Sequence, residues 1–253
     1  MMLQSERIDW IIKQIQLRGV VKVGEVSELL RVSPDTVRRD FKLMEQNGMV
    51  KCVHGGACLP ASHLSAANFT AREVVNEDKK REASRKALRY IQRGNVVALN
   101  SGTTNTVLAQ EIARSCEGIT VVTNNLAAAD ELRKNSLIRL IIIGGELDHV
   151  ERSTYGAACE REFRSFFPDV CFLSINAVNE TDGYTDFRLS EIGVIQILAE
   201  CSGQVVAVMD SSKLGMRSKK LALSACQVDH LIMDGDIHED TRRLYRQSGI
   251  EIE

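Results

Sequence analysis

The stretch that decides the fold runs from Ser33 to Phe41 and reads Ser-Pro-Asp-Thr-Val-Arg-Arg-Asp-Phe. It opens like a helix. Serine can cap the first turn with its hydroxyl, proline suits the first helical position, and aspartate suits the positive end of the helix dipole. Val37 and Phe41 are four residues apart, so they share one buried face and leave Arg38 and Arg39 on other faces. A capped, basic helix of this kind is typical of a recognition helix that enters a DNA groove.

Two helices are predicted before this stretch and a hairpin after it. Isoleucines at positions 8, 11, 12 and 15 repeat with helical spacing, and Gly19 ends that helix. A second helix is predicted over about Val23–Leu30, and Gly48 is expected to end the third. The residues that follow, with a turn at Gly55-Gly56, predict a two-stranded wing. Residues 1–60 are therefore predicted to form a winged helix-turn-helix domain.

The residues expected to contact DNA lie on the third helix and on the wing. Arginine can hold guanine through two hydrogen bonds, threonine can reach a base edge or a phosphate, and lysine suits phosphate. Two alternatives stay open: Arg38 can pair within the head, for instance with Asp40 or Glu45, and the head can be a helical protein-binding module. The predicted DNA-contact set is Ser33, Thr36, Arg38, Arg39, Lys42, Lys51 and His54.

This head resembles the DeoR family of bacterial regulators. The family signature is an arginine, two aliphatic residues at four-residue steps, a fixed gap, and then a small residue followed by Thr-aliphatic-Arg-basic-Asp-apolar. The matching residues here are Arg7, Ile11, Ile15, Ser33, Thr36, Val37, Arg38, Arg39, Asp40 and Phe41. The wing sequence His54-Gly55-Gly56-Ala57 is also similar to that of the family.

Composition narrows the class of protein. The 253 residues carry a formal net charge of −2, so any nucleic-acid surface must be local. No apolar run approaches the length of a membrane span, and the seven cysteines are scattered without a C-x-x-C pair, which is typical of reduced thiols in the cytoplasm. Cys52, His54 and Cys58 lack the paired spacing of a structural zinc site, so no metal is expected.

The remainder of the chain divides into a connector and a larger α/β domain. Residues 61–77 show little aliphatic periodicity and are predicted to be a linker. From residue 78 to 253, apolar runs alternate with helical patterns, which predicts a mainly parallel sheet covered on both faces. The predicted strands are residues 96–99, 119–122, 138–143, 170–175, 205–209 and 231–233. The predicted helices are residues 78–91, 104–115, 126–134, 157–166, 189–201 and 239–247.

Small and polar residues follow four of these strands, at the end of the sheet where ligands of such folds bind. A glycine flanked by hydroxyls at a helix start can cradle an anion, although a merely capped helix start has the same sequence. The spacings of a Walker loop and of a dinucleotide fingerprint are absent. The predicted effector set is Asn100, Ser101, Gly102, Thr103, Thr104, Asn105, Thr123, Asn124, Gly144, Gly145, Asp210 and Lys213.

The body also resembles the DeoR family, whose sensor domain is similar to ribose-5-phosphate isomerase. The similar segments are Ser101-Gly102-Thr103-Thr104, residues 121–124, Gly144-Gly145, Gly156 and residues 210–213. The resemblance implies a sugar-phosphate effector, with its phosphate at the Ser101–Asn105 loop and Lys213 nearby. This chain departs from the family pattern in three places. The family usually has aspartate where Asn100 stands and a basic residue near Asp148. It often has a lysine after the start of the helix at Glu191, where this chain has Gln196 nearby.

These observations predict a cytoplasmic DNA-binding repressor of carbohydrate genes that senses a phosphorylated sugar, needs no cofactor and is not an enzyme. The resemblance implies a homo-oligomer, a dimer or a tetramer. Two other classes of protein stay open. An isomerase would need two converging carboxylates from Glu146, Asp182, Asp186 and Glu191. A redox sensor would need an accessible thiol among Cys159, Cys171 and Cys201.

Overall fold

The computed structural model describes residues 3–47, 49–58, 69–235 and 237–253. The chain forms two compact units, residues 1–76 and residues 77–253. The predicted helix end at Gly48 and the first part of the predicted linker, residues 61–68, lie outside the described residues. The rest of that linker is not a plain connector, because Phe69–Val74 form a helix within the first unit.

The first unit opens with three helices that pack through the apolar positions seen in the sequence. They are α1 (Gln4–Arg18), α2 (Val23–Leu30) and α3 (Pro34–Gln46). Gly19 ends α1 with a left-handed backbone, as predicted. The shared core includes Ile11, Ile15, Val37, Phe41 and Met44, and Trp10, the one tryptophan of the chain, packs against its edge.

A three-stranded antiparallel sheet completes the winged helix. Its strands are β1 (Val20–Lys22), β2 (Lys51–Val53) and β3 (Gly56–Cys58), in the order β1-β3-β2. The predicted Gly55-Gly56 turn is shifted by one residue, because Gly56 already belongs to β3. A side chain at Gly56 would stand 2.3 Å from the carbonyl oxygen of Val21, so glycine lets β1 and β3 approach. Helix α4 (Phe69–Val74) leads into Val75, which packs with Val20 and Cys58.

The second unit is built on six parallel strands, in agreement with the predicted α/β class. They are β4 (Val96–Leu99), β5 (Thr120–Thr123), β6 (Arg139–Ile142), β9 (Val170–Leu173), β12 (Val205–Val208) and β14 (His230–Ile232). Their order across the sheet is β14-β12-β9-β4-β5-β6, and every neighbouring pair is parallel. The chain therefore winds outward from β4 to β6 and returns to place β9 on the other side of β4. This topological switch point lies between β4 and β9.

Helices cover both faces of this sheet, since alternate strand residues point to opposite sides. One core contains Val97, Leu99 and Phe172 together with residues of α5 (Glu77–Ala87), α6 (Thr103–Ser115) and α7 (Leu126–Leu132). The other contains Ala98 and Leu173 together with residues of α8 (Ala157–Phe163), α9 (Ile192–Cys201) and α10 (Glu239–Gln247). The central strands are consequently buried throughout.

Two small antiparallel sheets were not predicted from the sequence. The hairpin β7 (Glu146–Asp148) and β8 (Ser153–Tyr155) follows β6. The strands β10 (Ala177–Asn179), β11 (Gly183–Asp186) and β13 (Lys220–Leu223) form a sheet in the order β10-β11-β13. Both sheets supply residues to the carboxyl end of the parallel sheet. Within the described helices, none is long and apolar enough to cross a membrane.

Candidate DNA-binding and effector sites

Helix α3 begins as its sequence predicts. Ser33 is the N-cap residue, and its hydroxyl accepts a hydrogen bond from the backbone N–H of Thr36 (3.2 Å). The hydroxyls of Ser33 and Thr36 are also 2.9 Å apart. These two predicted DNA-contact residues therefore stabilise the start of the helix, while Ser33 stays exposed and Thr36 half-buried.

The charged residues of α3 divide between its exposed surface and the core. Arg38, Arg39 and Lys42 are exposed. Arg38 forms an ion pair with Asp35 (2.7 Å), in which both side chains are more than 60% exposed. Arg38 thus pairs within the head, as one alternative allowed, but with Asp35, because Asp40 binds Arg7 and Glu45 binds Cys52. An exposed pair of this kind is weak, so it leaves Arg38 available to DNA.

Asp40 belongs to the interior of the head. Its carboxylate accepts hydrogen bonds from Arg7 Nε (2.8 Å), Arg7 Nη2 (3.1 Å) and Gln4 Nε2 (2.9 Å). This hydrogen bonding, which outweighs the opposing effect of burial, raises the pKa of Arg7. The pair joins α1 to α3 and so fixes the orientation of the recognition helix.

The wing is tied to α3 by a second carboxylate. Glu45 Oε1 accepts a hydrogen bond from the backbone N–H of Cys52 (2.7 Å) on β2. Lys51 on β2 and His54 in the turn that follows are exposed, so both predicted wing contacts can reach DNA. Burial raises the pKa of the Cys52 and Cys58 thiols to about 11. In the described part of the chain, no group of three or more potential ligands could hold a metal ion.

In the second unit, the loop after β4 makes a close contact with the end of β9. Gly102 precedes α6 with a φ of +133°, and a side chain there would stand 2.4 Å from Ser174 Oγ. Glycine is therefore required on both conformational and steric grounds. Thr103 and Thr104 begin α6 and are buried. The first backbone N–H groups of a helix have no intrahelical partners, so they can bind an anion here.

Asn100 and Asn105 hold this loop in place. Asn100 Nδ2 donates to Ser174 O (3.1 Å), and Asn100 Oδ1 accepts from Ser174 N (2.8 Å). Asn105 Nδ2 donates to Asn100 Oδ1 (2.8 Å) and to Phe172 O (2.8 Å). Both were predicted to bind effector directly, but Asn100 and the amide nitrogen of Asn105 are committed to the protein. They bridge β4 and β9 at the switch point.

The loop after β5 joins the same cluster. Thr123 Oγ1 donates to Leu99 O (2.8 Å), and Asn125 Nδ2 donates to Gly102 O (3.1 Å). Asn124 Nδ2 donates to Thr154 O (2.7 Å) on β8 and to Glu191 Oε1 (3.1 Å). Asn125 was not in the predicted set, although it directly follows two predicted residues.

A buried arginine that the sequence did not reveal stands beside this loop. Arg188 donates from Nη1 to Ser101 O (2.8 Å) and Ser101 Oγ (3.1 Å), and from Nη2 to Ser174 O (2.8 Å). Its guanidinium also donates two hydrogen bonds to Asp186, of 2.6 and 3.0 Å, and its backbone N–H donates a third of 2.8 Å. Burial alone would lower the pKa of Arg188, but the charge and hydrogen bonds of Asp186 more than offset it and raise that pKa.

Glu191 is the second buried residue whose position the sequence did not show. It lies in a 3-10 turn before α9, where its Oε1 accepts from Ser153 Oγ (3.0 Å) and from Asn124 Nδ2. Burial raises its pKa, against the opposing effects of Arg188, Ser153 and Ser101. The carboxylate of Glu191 therefore interacts with the loop after β4, the loop after β5 and strand β8.

The remaining predicted effector residues lie on two other segments, after β6 and after β12. Gly144 and Gly145 lie between β6 and β7. Asp210 caps the 3-10 turn Ser211–Lys213 after β12, where Ser211 accepts from Lys79 Nζ (2.7 Å) on α5 and donates from its N–H to Asp234 (2.6 Å). Lys213 is half-buried, and its side chain has no hydrogen bond or ion pair within the described residues. The turn after β12 therefore contacts α5, whereas the loops after β4 and β5 surround Glu191.

The cysteines offer no accessible thiolate at this cluster. Cys159 and Cys171 are buried, and burial raises the pKa of each thiol to about 12. Such thiols stay protonated at neutral pH and react slowly. The redox-sensor alternative has no support at these two positions.

A winged helix-turn-helix unit with exposed basic residues, followed by an α/β unit with a buried polar cluster, defines a DNA-binding transcriptional regulator with a separate second domain. Two family models match the chain, the DeoR-like helix-turn-helix domain over residues 7–63 and the DeoR C-terminal sensor domain over residues 75–235. The chain belongs to the DeoR family.

Full-length relatives carry regulatory names. The HTH-type transcriptional regulator GolR of Listeria innocua is 29% identical over 251 residues, which is 99% of this chain and 98% of that protein. The glycerol-3-phosphate regulon repressor of Escherichia coli K12 is 29% identical and covers 92% of each chain. Among solved structures, ribose 5-phosphate isomerase A from Methanocaldococcus jannaschii aligns with 19% identity and a TM-score of 0.41 over 55% of each chain.

Proposed function

We propose that this regulator represses genes of carbohydrate metabolism, and that a phosphorylated sugar bound in its second unit changes its affinity for operator DNA. The observation that carries the proposal is the meeting of Gly102, Asn124, Ser153, Arg188 and Glu191 at the switch point of a parallel sheet. Ligands of doubly wound folds bind at such a point, outside the carboxyl ends of the strands.

The start of α6 suits the phosphate group. Gly102 opens the backbone, and the first N–H groups of the helix, together with the hydroxyls of Thr103 and Thr104, can donate to phosphate oxygens. Lys213, whose ammonium group has no partner in the described part of the chain, is the proposed source of positive charge. The guanidinium of Arg188 serves this purpose less well because Asp186 already neutralises it.

The head suits double-stranded DNA. Arg38 and Arg39 can reach guanine edges in the major groove, and Thr36, Lys42, Lys51 and His54 can contact base edges or backbone. Dimers of helix-turn-helix proteins read two half-sites about one helical turn apart. We therefore propose an even-numbered homo-oligomer.

The relatives support the chemical class of the effector. One of them is named as the repressor of the glycerol-3-phosphate regulon, and that compound combines a phosphate with hydroxyl groups. The ligand would act by a population shift, because it stabilises the arrangement of the regulator to which it binds more tightly. A coupling free energy of about 1–3 kcal/mol between ligand and operator is typical of such systems.

The test begins with an operator selected from random duplexes by the full-length protein. Operator binding is then measured with and without each member of a panel of sugar phosphates and polyol phosphates. One or more members should change the operator Kd by about 5- to 150-fold. If the protein selects no sequence, or if no panel member changes the Kd, the proposed function is wrong.

A lysine variant tests the proposed phosphate site. Lys213→Ala should reduce the effect of the active ligand on the operator Kd by about tenfold or more, because it removes a charge-assisted contact. Lys134→Ala is the matched control. Asn125, at the N-terminal end of α7, belongs to the proposed site, whereas Lys134 lies beyond the opposite end of that helix. An equal ligand response in the two variants would exclude Lys213 from the site.

A further inference from the structure

The two edges of the parallel sheet differ in what lies beside them. The outer strands are β14 and β6. Residues 251–253 run alongside β14, where the N–H of Leu231 donates to Glu251 O (3.2 Å) and the N–H of Glu253 donates to Leu231 O (2.9 Å). At the other edge, β6 pairs with β5 and with no other described strand. The chain itself therefore covers one edge and leaves the other open.

The open edge of β6 presents backbone groups without partners. The N–H groups of Arg139 and Ile143 donate to carbonyl oxygens of the β5 segment (2.9 and 2.8 Å). Because these directions alternate along a strand, the N–H and C=O groups of Leu140 and Ile142 point away from β5. Neither residue forms a backbone hydrogen bond with another described residue on that side. Such a row of unpaired groups is a template for a further strand.

The side chains along this edge are apolar and exposed. Ile142 lies within β6 and is 52% exposed. Leu137 precedes the strand, Leu147 and Val150 belong to the hairpin segment that follows it, and all three are exposed as well. Proteins usually protect an open edge with a charge, a proline or a bulge. Residues 140–143 contain none of these charges or prolines, and the pairing of β6 with β5 is regular.

The charges at the two ends of β6 determine the direction of an added strand. Arg139 begins the strand and Glu146 lies just beyond its end, and both are exposed. Neither forms an ion pair with another described residue. A parallel second copy of β6 would bring Arg139 beside its own twin, which is unfavourable. An antiparallel copy brings Arg139 toward Glu146 of the other chain, twice, about one two-fold axis.

We propose that β6 pairs antiparallel with β6 of a second copy of this chain, so that two six-stranded sheets join across a two-fold axis at Ile141. This inference rests on the homo-oligomer of the proposed function and assigns its interface. Leu140 then lies opposite Ile142 of the other chain, and each such pair exchanges two hydrogen bonds. Pairing of β6 with β14 of another copy would build an open fibre, but residues 251–253 block it.

A backbone variant tests the hydrogen bonds across this interface. Ile142→Pro removes the outward N–H and leaves the bonds to β5 in place, and proline is tolerated in an edge strand. Sedimentation velocity of the full-length protein over a dilution series measures its mass. The variant should fall to half the wild-type mass at about tenfold or more higher protein concentration, because two hydrogen bonds are lost per interface. Ile142→Val, which keeps the N–H and the branched shape, is the matched control and should shift this concentration less.

A charge variant tests the same edge through the side chain. Ile142→Lys replaces the contact with Leu140 of the other chain by an ammonium group, and lysine on an edge strand opposes pairing. It should also halve the mass. Leu221→Lys is the control, because Leu221 is 53% exposed on β13, the outer strand of a different sheet. That variant should keep the wild-type mass, and circular dichroism checks that all the variants are folded.

A cross-link tests the register. Ile141 would face its own twin in a pair without hydrogen bonds, with Cα atoms about 4.5 Å apart, which a disulfide can span. Mild oxidation of Ile141→Cys should therefore give a covalent dimer on a non-reducing gel. In Ile142→Cys the two introduced thiols lie on diagonal positions about 7–8 Å apart, which disfavours a disulfide. Wild type, with its seven cysteines, gives the background.

The outcomes separate the interface from the homo-oligomer itself. If wild type is a monomer at every concentration, the homo-oligomer of the proposed function is wrong, and this interface with it. If wild type assembles but Ile142→Pro and Ile142→Lys keep its mass, the homo-oligomer stands and the β6 interface is wrong. If Ile142→Cys cross-links as readily as Ile141→Cys, the proposed register is wrong.

Discussion

Arg7 and Asp40 are 33 residues apart in the chain and form an ion pair of two hydrogen bonds between α1 and α3, in which Asp40 is buried and Arg7 half-buried. Both belong to the family signature. Their neighbours in that signature, Arg38 and Arg39, are exposed on α3. The signature therefore contains two kinds of residue, one that joins α3 to α1 and one that is exposed on the surface of α3.

Replacing Asp40 should lower the free energy of unfolding of the head. Asp40→Asn removes the carboxylate that pairs with the half-buried Arg7, and a donor left without its partner in such a position costs about 1–3 kcal/mol. Urea unfolding followed by the fluorescence of Trp10, the one tryptophan of the chain, reports on this unit. Asp35→Asn breaks the exposed pair with Arg38 and should cost about 0.5 kcal/mol or less. Equal stability of the two variants would contradict a structural role for Asp40.

Replacing the exposed arginines should weaken operator binding without unfolding the head. Arg38→Ala and Arg39→Ala should each cost about 1–3 kcal/mol on a selected operator and relax preference at one base pair. Lys42→Ala should weaken binding to all sequences and reduce the salt slope by about one. Gel-shift titrations at several salt concentrations measure both effects. Lys13→Ala, on the exposed side of α1, is the control, and an effect there as large as at Arg39 would argue against α3 as the reading helix.

Replacing Gly102 should damage the proposed effector site specifically. Gly102→Ala strains a backbone with a φ of +133° and places a methyl group against Ser174 and Arg188. Gly94→Ala has a φ of +92° but meets no atom within 4 Å. Calorimetric unfolding should show about 1–2 kcal/mol of destabilisation for Gly94→Ala from backbone strain and more for Gly102→Ala. The ligand response should survive at position 94 and be lost at position 102.

Glu191 should make the stability of the second unit depend on pH. Burial raises the pKa of Glu191 above its ordinary value of 4.5. The pKa of Glu191 is therefore higher in the folded than in the unfolded state. The contribution of its protonated form to the free energy of unfolding is complete below pH 4.5 and is lost as the pH rises through the raised pKa. Glu191→Gln imitates the protonated form and should become increasingly more stable than wild type as the pH rises. Thermal unfolding from pH 5 to pH 8 measures this difference, and a constant difference would show that Glu191 is ionised at no cost.

The sequence predicted the elements with strong periodicity. Helix α2 was predicted over Val23–Leu30 and has those bounds, and the six parallel strands were all located. Continuous apolar runs such as Val96–Leu99 reveal a strand buried on both faces. The strands β7, β8, β10, β11 and β13 were missed because polar residues interrupt them, so none of them is a continuous apolar run.

Site residues in the loops after the parallel strands were predicted, whereas site residues on other segments were missed. Asn124 and Gly102 directly follow parallel strands, so topology brings them together. Arg188 and Ser153 reach the cluster from the antiparallel segments, whose placement no local pattern revealed. A buried arginine cannot be distinguished from a surface one by its sequence neighbours, because burial depends on a partner such as Asp186.

The position of Asn100 directly after β4 led us to expect that it would contact the effector, yet its amide holds Ser174 by both donating and accepting. The aspartate usual in the family cannot donate in this way when ionised. The ends of β4 and β9 are thus held together by both polar atoms of one neutral amide. Among relatives, those with asparagine at the corresponding position are the appropriate templates for choosing which compounds to screen, even where another relative is more similar overall.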